Sequence, residues 1–382
     1  MKSEASFVYS IQLIQKKMKV ALVHDWLTGM RGGEKCLEVL CELFPDAPIY
    51  TLLHTKGAMS PLIESKKIIT SFIQYLPEKE KRYRQYLPLF PFAIGTFDFS
   101  GYDVVISISH AVAKSIRVRS ETLHICYCLT PMRYIWDMYS EYFGKGRASL
   151  ATHAAMSMVA PMLRYYDVST SSRVHYFVAI SDFVRQRIKR YYRRDADIIF
   201  PPVDIDQFQL SQKDDGFYLI VSALVPYKRV DLAVEVFNAN GKRLVIAGTG
   251  PESDKLKTIA KSNINFLGWR SDEELAQLYA GCKALIFPGE EDFGIVPLEA
   301  MASGKPVVAF GKGGALETVI DRKTGLFFNQ QTKESLQQAV EQLRLIKFNP
   351  QEIRTHALKF SRSVYKQKMK EFIDGKIRQH LY

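Results

Sequence analysis

After Pro201-Pro202 the chain repeats a rhythm it has already run through once, and this recurrence limits its fold more than any other feature. The second run sets short apolar stretches at residues 217–222, 243–248, 264–268, 284–288 and 306–310 between longer helical patterns. Apolar runs of that length bounded by turns read as buried parallel strands, and strands alternating with helices read as a doubly wound α/β sheet. The first run is looser. It opens with a strand from Lys19 to His24, a glycine-rich turn and an amphipathic stretch from Glu34 to Leu43, with further apolar runs at 104–108, 123–126 and 176–180. Proline disfavours helix at and just before itself, so Pro201-Pro202 separates the two runs. The expected organisation is an extension over residues 1–17, a Rossmann-like domain over 18–200, a second over 201–360, and a C-terminal helical segment over 361–382. The charged stretch from Gln351 to Tyr382 reads as helical, with Leu358, Phe360, Val364, Met369 and Phe372 for packing, and its end could cross back onto the first domain. Two such domains facing across a cleft would bind ligands at the carboxyl ends of their strands.

Length and composition agree with this reading. At roughly 100–200 residues per domain, 382 residues make two, and 47% hydrophobic with 24% charged residues is a globular balance. No apolar run approaches the roughly 18 residues that cross a bilayer. Glu4, Gln12 and Gln15 interrupt the place where a signal peptide needs an apolar stretch, so the chain reads as cytoplasmic, with residues 1–17 as a mobile tail. The five cysteines form no CxxC pair and read as buried thiols, Cys126 and Cys128 sharing one strand face. A formal charge of +12 calls for an anionic partner: nucleic acid, a lipid surface or a phosphorylated substrate. No RNA-binding pattern appears, so nucleic acid is not expected, and a basic RNA-binding protein is the non-enzymatic alternative.

The sharpest segment runs from Phe287 to Gly304. It leaves a strand, turns through Gly289 and starts a helix near Gly294, which would aim free backbone N–H groups and a positive helix end at an anion. Glu291 lies in the loop and Glu299 eight residues later in the helix. The pair by itself reads first as ordinary solvated charge near a helix start. Asp195/Asp197 and Asp204/Asp206 spell a DxD pattern, but beside an arginine pair and in the proline linker, so no metal site is expected. Gly248 and Gly250 lack the third glycine of a dinucleotide fingerprint.

Taken whole, the segment resembles the E-x7-E signature of the retaining GT-B glycosyltransferases, a GT4-type family that includes sucrose synthase and mannosyltransferases. The likeness extends through Ala223–Asp231, Ala247–Glu252, Phe266–Gly268, Gly313–Glu317 and Thr324–Phe327. In the first half, Val23–Leu27, Gly32–Glu34, Ser109–Ala111 and Thr130–Tyr134 resemble the lipopolysaccharide and O-antigen mannosyltransferases. The resemblance implies an enzyme that moves a hexose from a nucleotide-sugar, GDP-mannose first, to a lipid-linked or lipopolysaccharide glycan, with retention and without a cofactor. It assigns Glu299 to the nucleotide ribose and Glu291 to the donor sugar. Phe293, Gly294 and Ile295 would offer N–H groups to the diphosphate or sugar, Lys228 would neutralise the departing diphosphate, and Gly32 and Gly33 would let backbone approach it. The nucleobase would be read around Phe266, Leu267 and Trp269. A nucleotide-sugar epimerase or hydrolase on the same fold is the enzymatic alternative.

Two departures carry expectations of their own. The family has arginine five residues before the lysine, where this chain has Ala223, so Arg229 would have to substitute. The family's histidine before Thr-Pro is here Leu129, which cannot hydrogen-bond a hydroxyl. Either His110 reaches the donor sugar instead, or the sugar lacks that hydroxyl, as in a 6-deoxyhexose, or activity is reduced. Two basic aromatic stretches, 79–92 and 185–194, could rest on an anionic membrane. The first would place Lys79, Lys81, Arg82 and Arg84 at headgroups and Leu89, Phe90 and Phe92 at the boundary, making the protein peripheral to the inner membrane face.

Overall fold

The computed structural model describes residues 18–144 and 149–381, so the tail expected at residues 1–17 lies outside the described residues. The chain divides into two compact units. One takes residues up to Trp136, Ala155–Val178 and Lys370 onward; the other takes Asp137–Ala154 and Ala179–Met369.

The first sheet contains β1 (Val20–His24), β2 (Ile49–Thr51), β3 (Ile68–Thr70), β4 (Val104–Ser109), β5 (Leu123–Cys128), β6 (Tyr176–Ala179) and β7 (Ala196–Ile198), in the order β3-β2-β1-β4-β5-β6-β7. Every residue of β1, β4 and β5 is buried, as strands covered on both faces require, and their sequences are correspondingly mostly apolar, with His24, Ser107, Ser109 and His124 buried among them. Leu22 pairs in parallel with Ile49 on one side and Ile106 on the other. The one imidazole inside β5, His124, bonds Ser107 Oγ through Nε2 (2.9 Å) and the Arg173 carbonyl through Nδ1 (3.1 Å). Burial holds that ring neutral, its pKa pushed down to about 3. All five cysteines are buried and outside any disulfide.

The second sheet contains β8 (Phe217–Val221), β9 (Arg243–Ala247), β10 (Ile264–Gly268), β11 (Ala284–Phe287), β12 (Val307–Phe310) and β13 (Gly325–Phe328), in the order β10-β9-β8-β11-β12-β13. Its core joins Ile220, Leu244, Ile246, Ile286, Val308 and Leu326 of the strands to Val234, Phe237, Leu256 and Val340 of the helices. The helices used below are α1 (Gly32–Leu43), α2 (Leu150–Thr170), α3 (Asp182–Tyr192), α4 (Val230–Asn240), α5 (Asp272–Gly281), α6 (Ile295–Ala302) and α7 (Arg362–Leu381). Both sheets are the parallel, doubly wound kind the sequence predicts, and both reverse strand order beside their first strand, at β1/β4 and β8/β11. Loops leaving the carboxyl ends of those neighbours run apart, which opens a crevice in each sheet.

Two expectations need correction. The stretch from Gln351 to Tyr382 is not one helix: one helix ends at Leu358 and α7 begins at Arg362, and between them Val203 bonds the backbone, donating to the Phe360 carbonyl (3.0 Å) and accepting from Arg362 N–H (3.1 Å). Phe360 and Met369 are buried there, while Leu358 is exposed. In the 79–92 stretch, Phe90 is not available to a membrane boundary. It is buried with Tyr83 against Trp26, at ring distances of 6.0 and 5.2 Å, leaving Phe92 exposed and Leu89 at the edge.

Candidate active site

In the second unit, the loops leaving β8 and β11 converge at the reversal of strand order. Lys228, in a short turn after β8, puts its ammonium on the carboxylate of Glu291, in the loop after β11. The contact depends on glycine. A Cβ at Gly289 would lie 2.9 Å from Lys228 Cα, so only a residue without one lets the loop lie on the lysine's backbone. From the other side, Gly314 N–H donates to the Glu291 carbonyl (2.8 Å), and a Cβ on Gly314 would come within 2.2 Å of Phe293 Cα. The Gly313-Gly314 turn after β12 therefore seats directly on the Glu291 loop.

Gly294 then turns into α6 at a φ of +99°, a conformation that side chains other than glycine's rarely adopt. With α6 starting at Ile295, the first-turn N–H groups have no carbonyl within the helix, and the positive helix end lies next to Glu291 in sequence. Phe293 is buried, its ring stacked on Phe200 at 5.5 Å. One turn on, Glu299 Oε2 accepts a hydrogen bond from Tyr279 Oη of α5 (2.8 Å). Tyr279 is fully buried, and burial together with the Glu299 charge pushes its phenol well up, so it stays a donor. Arg229 has φ +52° at the start of α4 and directs its guanidinium to Asp231 (3.2 Å). Phe266 packs against the core, the Leu267 carbonyl accepts from Arg270 (2.6 Å), and Trp269 is 74% exposed.

In the first unit the crevice lies between the ends of β1 and β4. Asp25, fully buried, accepts hydrogen bonds from four successive backbone N–H groups, His110 and Val112 and Ala113 at 2.7 Å and Ala111 at 2.9 Å. Burial pushes this carboxyl up, while the N–H groups of His110, Ala113 and Ala111 and the nearby His24 oppose the shift. Asp25 thereby shapes the turn that carries His110, whose Nδ1 lies 3.2 Å from Asp25 Oδ2 and whose ring meets Trp26 edge-on at 4.3 Å. Burial holds His110 neutral, well below its ordinary value. Gly33 opens α1 in the same place. A Cβ there would meet Leu129 Cδ1 at 2.7 Å and His24 Nε2 at 3.3 Å, so any larger residue would have to push the Leu129 side chain aside. His24 bonds the Trp26 carbonyl through Nδ1 (2.9 Å), leaving buried Nε2 without a hydrogen-bond partner.

The structure thus brings Lys228 to Glu291, and gathers Gly33, His24 and Leu129 at the α1 start. Three contributors escaped the sequence reading. Asp25 was within a quoted motif but assigned no part; its signal is an acidic residue where an apolar strand ends. Tyr279 gave none, being one aromatic among many on a helix. Glu317 caps α3 by accepting from Asp182 and Phe183 N–H (2.8 and 3.2 Å), a partnership invisible locally.

Residues 203–359 match the family Glycosyl transferases group 1. An uncharacterized glycosyltransferase of Methanocaldococcus jannaschii is 28% identical over 185 residues, covering 47% of this chain and 52% of that protein. A GDP-mannose-dependent alpha-mannosyltransferase of Mycolicibacterium smegmatis is 31% identical over 199 residues, covering 50% of this chain and 51% of the relative. This chain therefore spans about half the length of each. Anabaena HepE, solved in complex with UDP, superposes with a TM-score of 0.68 at 17% identity, over 94% of this chain and 100% of the other. The fold is GT-B, and the match to Glycosyl transferases group 1 lies within the second unit.

Proposed function

We propose that this chain, built around a glycosyl transferases group 1 domain at residues 203–359, transfers a hexose from a nucleoside-diphosphate sugar to a lipid-linked or lipopolysaccharide glycan with retention of configuration. The observation that carries the reading is the Lys228–Glu291 pair at the β8/β11 reversal, with Glu299 behind it on α6. Breaking a bond from sugar to diphosphate builds negative charge on the phosphate. A lysine and a helix N-terminus fixed beside that charge lower the barrier without having to reorganise. Binding a donor would exchange the Lys228–Glu291 contact for Lys228–diphosphate, and would free Glu291 to accept from a sugar hydroxyl. Glu299, oriented by Tyr279, offers a carboxylate to a vicinal ribose diol. We assign no protein nucleophile; the departing phosphate takes the acceptor proton.

GDP-mannose is the donor we put first, and the GDP-mannose-dependent relative is its support. A 6-deoxyhexose donor is the second reading, supported by the apolar Leu129 at the Gly33 helix start. For a lipid-linked acceptor the support is the surface of α2. Residues 149–163 contain no Asp, Glu, Lys or Arg, and Met158, Met162 and Tyr165 are each more than 70% exposed. Tyr166 of the same helix reaches the Pro91 carbonyl (3.5 Å), next to exposed Phe92 and the basic residues Lys79, Lys81, Arg82 and Arg84. That combination suits an anionic membrane surface, although no described helix is long and apolar enough to cross one.

A thermal-shift panel of GDP, UDP and dTDP with their sugars tests the donor reading, because a ligand that binds only the native state raises its melting temperature. No stabilisation by any nucleoside diphosphate refutes it. Sedimentation with vesicles tests the surface: binding should favour anionic over neutral vesicles and weaken with salt. Equal sedimentation with both at low salt removes the membrane from the reading.

A further inference from the structure

Three consecutive acidic residues, Glu290, Glu291 and Asp292, leave β11 together, and each is held by its own cation from a different part of the second unit. Lys312 takes Glu290 (3.0 Å), Lys228 takes Glu291 and Arg187 of α3 takes Asp292. The pairs are graded by burial: the Lys312 side chain is 60% exposed, Lys228 16% and Arg187 8%. The outer pair is an ordinary solvated contact, and the inner one is covered. A carboxylate next to an anion-binding lysine is a liability, because it competes for the lysine and repels the anion.

We infer that Arg187 is a positioning residue that sequesters Asp292, so that Lys228 and the α6 N-terminus meet an incoming diphosphate with Glu291 alone to displace and no second carboxylate competing beside it. The inference rests on the functional reading above and deepens it. Several features of the structure suit Arg187 to this task. Its Nε also bonds Asp137 Oδ2 (2.9 Å), and its guanidinium lies over the Phe183 ring at 4.3 Å, which fixes the plane of the fork. The start of α3 is fastened to the same loop, Ser181 Oγ donating to the Asp292 carbonyl (2.6 Å) while accepting from Val184 N–H (3.1 Å). Glu317, just after the Gly313-Gly314 turn, caps that helix as well. The second carboxylate on Arg187 leads towards Lys228 itself: Asp137 precedes the short helix Tyr139–Phe143, whose Tyr142 ring lies 6.4 Å from the Tyr227 ring, and Tyr227 adjoins Lys228 in the chain. One buried guanidinium thus touches both segments that frame the Lys228–Glu291 pair. The planar, two-sided donor set of arginine fits this fork where a lysine ammonium fits less well.

The test measures affinity for GDP and UDP by calorimetry, which needs no acceptor and no turnover. Arg187→Met should weaken the better ligand about tenfold or more, within the range of coupling between neighbouring charges. Adding Asp292→Asn to that variant should restore most of the affinity, since the offending charge is then gone, and Arg187→Lys should lie between. A purely structural role predicts no rescue by Asp292→Asn. Because removing one member of a buried pair can unfold a protein, Asp292→Asn is also made alone; its affinity should equal or exceed that of the wild type. Wild-type affinity in Arg187→Met, or failure of Asp292→Asn to rescue it, overturns the inference while leaving the functional reading intact. A wild type that binds neither nucleotide overturns both.

Discussion

Replacing Glu299 in two ways separates its contact with ligand from its contact with Tyr279. Glu299→Gln keeps an oxygen that can accept from Tyr279 Oη but removes the charge, whereas Glu299→Ala removes both. A hydrogen bond to a charged group contributes roughly 1.5–3 kcal/mol, so alanine should weaken nucleoside-diphosphate binding roughly 10- to 150-fold. Glutamine, which still accepts from a ribose hydroxyl as a neutral partner, should cost about half that free energy. Stability moves differently. Tyr279 has no exposed surface, so alanine strands a buried phenol at a cost of about 1–3 kcal/mol, unless a water takes the vacated place, while glutamine leaves it bonded. Calorimetry with GDP and UDP reads the first effect and denaturant unfolding the second. The alanine variant should be low in both and the glutamine variant mainly in binding. If both variants bind like wild type, Glu299 does not hold the ribose; if they are equally stable, the Tyr279 bond contributes nothing net.

Lys228→Ala should depress turnover more than donor affinity, because the phosphate charge it meets grows as the bond breaks; an unaltered kcat under saturating donor contradicts that role. Glu34, buried at the start of α1, has its pKa pushed up to about 7 by burial, from an ordinary 4.5. The folded chain therefore holds this proton more tightly than the unfolded one. Its contribution to stability is fully present below pH 4.5 and is lost as pH rises through about 7, a change of roughly 3 kcal/mol that Glu34→Gln should abolish in unfolding experiments at pH 5 and pH 8. Leu129→His should shift preference from 6-deoxy donors toward hydroxylated ones in competition assays, and identical rankings in the two proteins show that residue 129 does not read the sugar.

Much of the architecture was legible because its causes are local. A strand buried on both faces must be mostly apolar, so β1, β4, β8 and β11 announce themselves, and a turn that needs φ +99° must carry something like Gly294. Resemblance in the 223–231 and 287–304 segments likewise depends on short strings in fixed register, and it pointed to Lys228 and Glu291, which the fold brings into contact. Phe90 shows the limit. Its neighbours make an apolar, basic segment that reads as a membrane edge, yet whether one ring in it faces lipid or Trp26 depends on a residue 64 positions earlier (90 − 26). The same holds for the partners that organise the site. Asp25 reaches His110 across 85 positions and Arg187 reaches Asp292 across 105, and neither pairing leaves a periodic or compositional trace. Hydrophobic pattern is a property of consecutive residues and so is written in the sequence. The pairing of buried charges belongs to which loops emerge side by side from a sheet, and strand order, settled only by the closed tertiary structure, decides that.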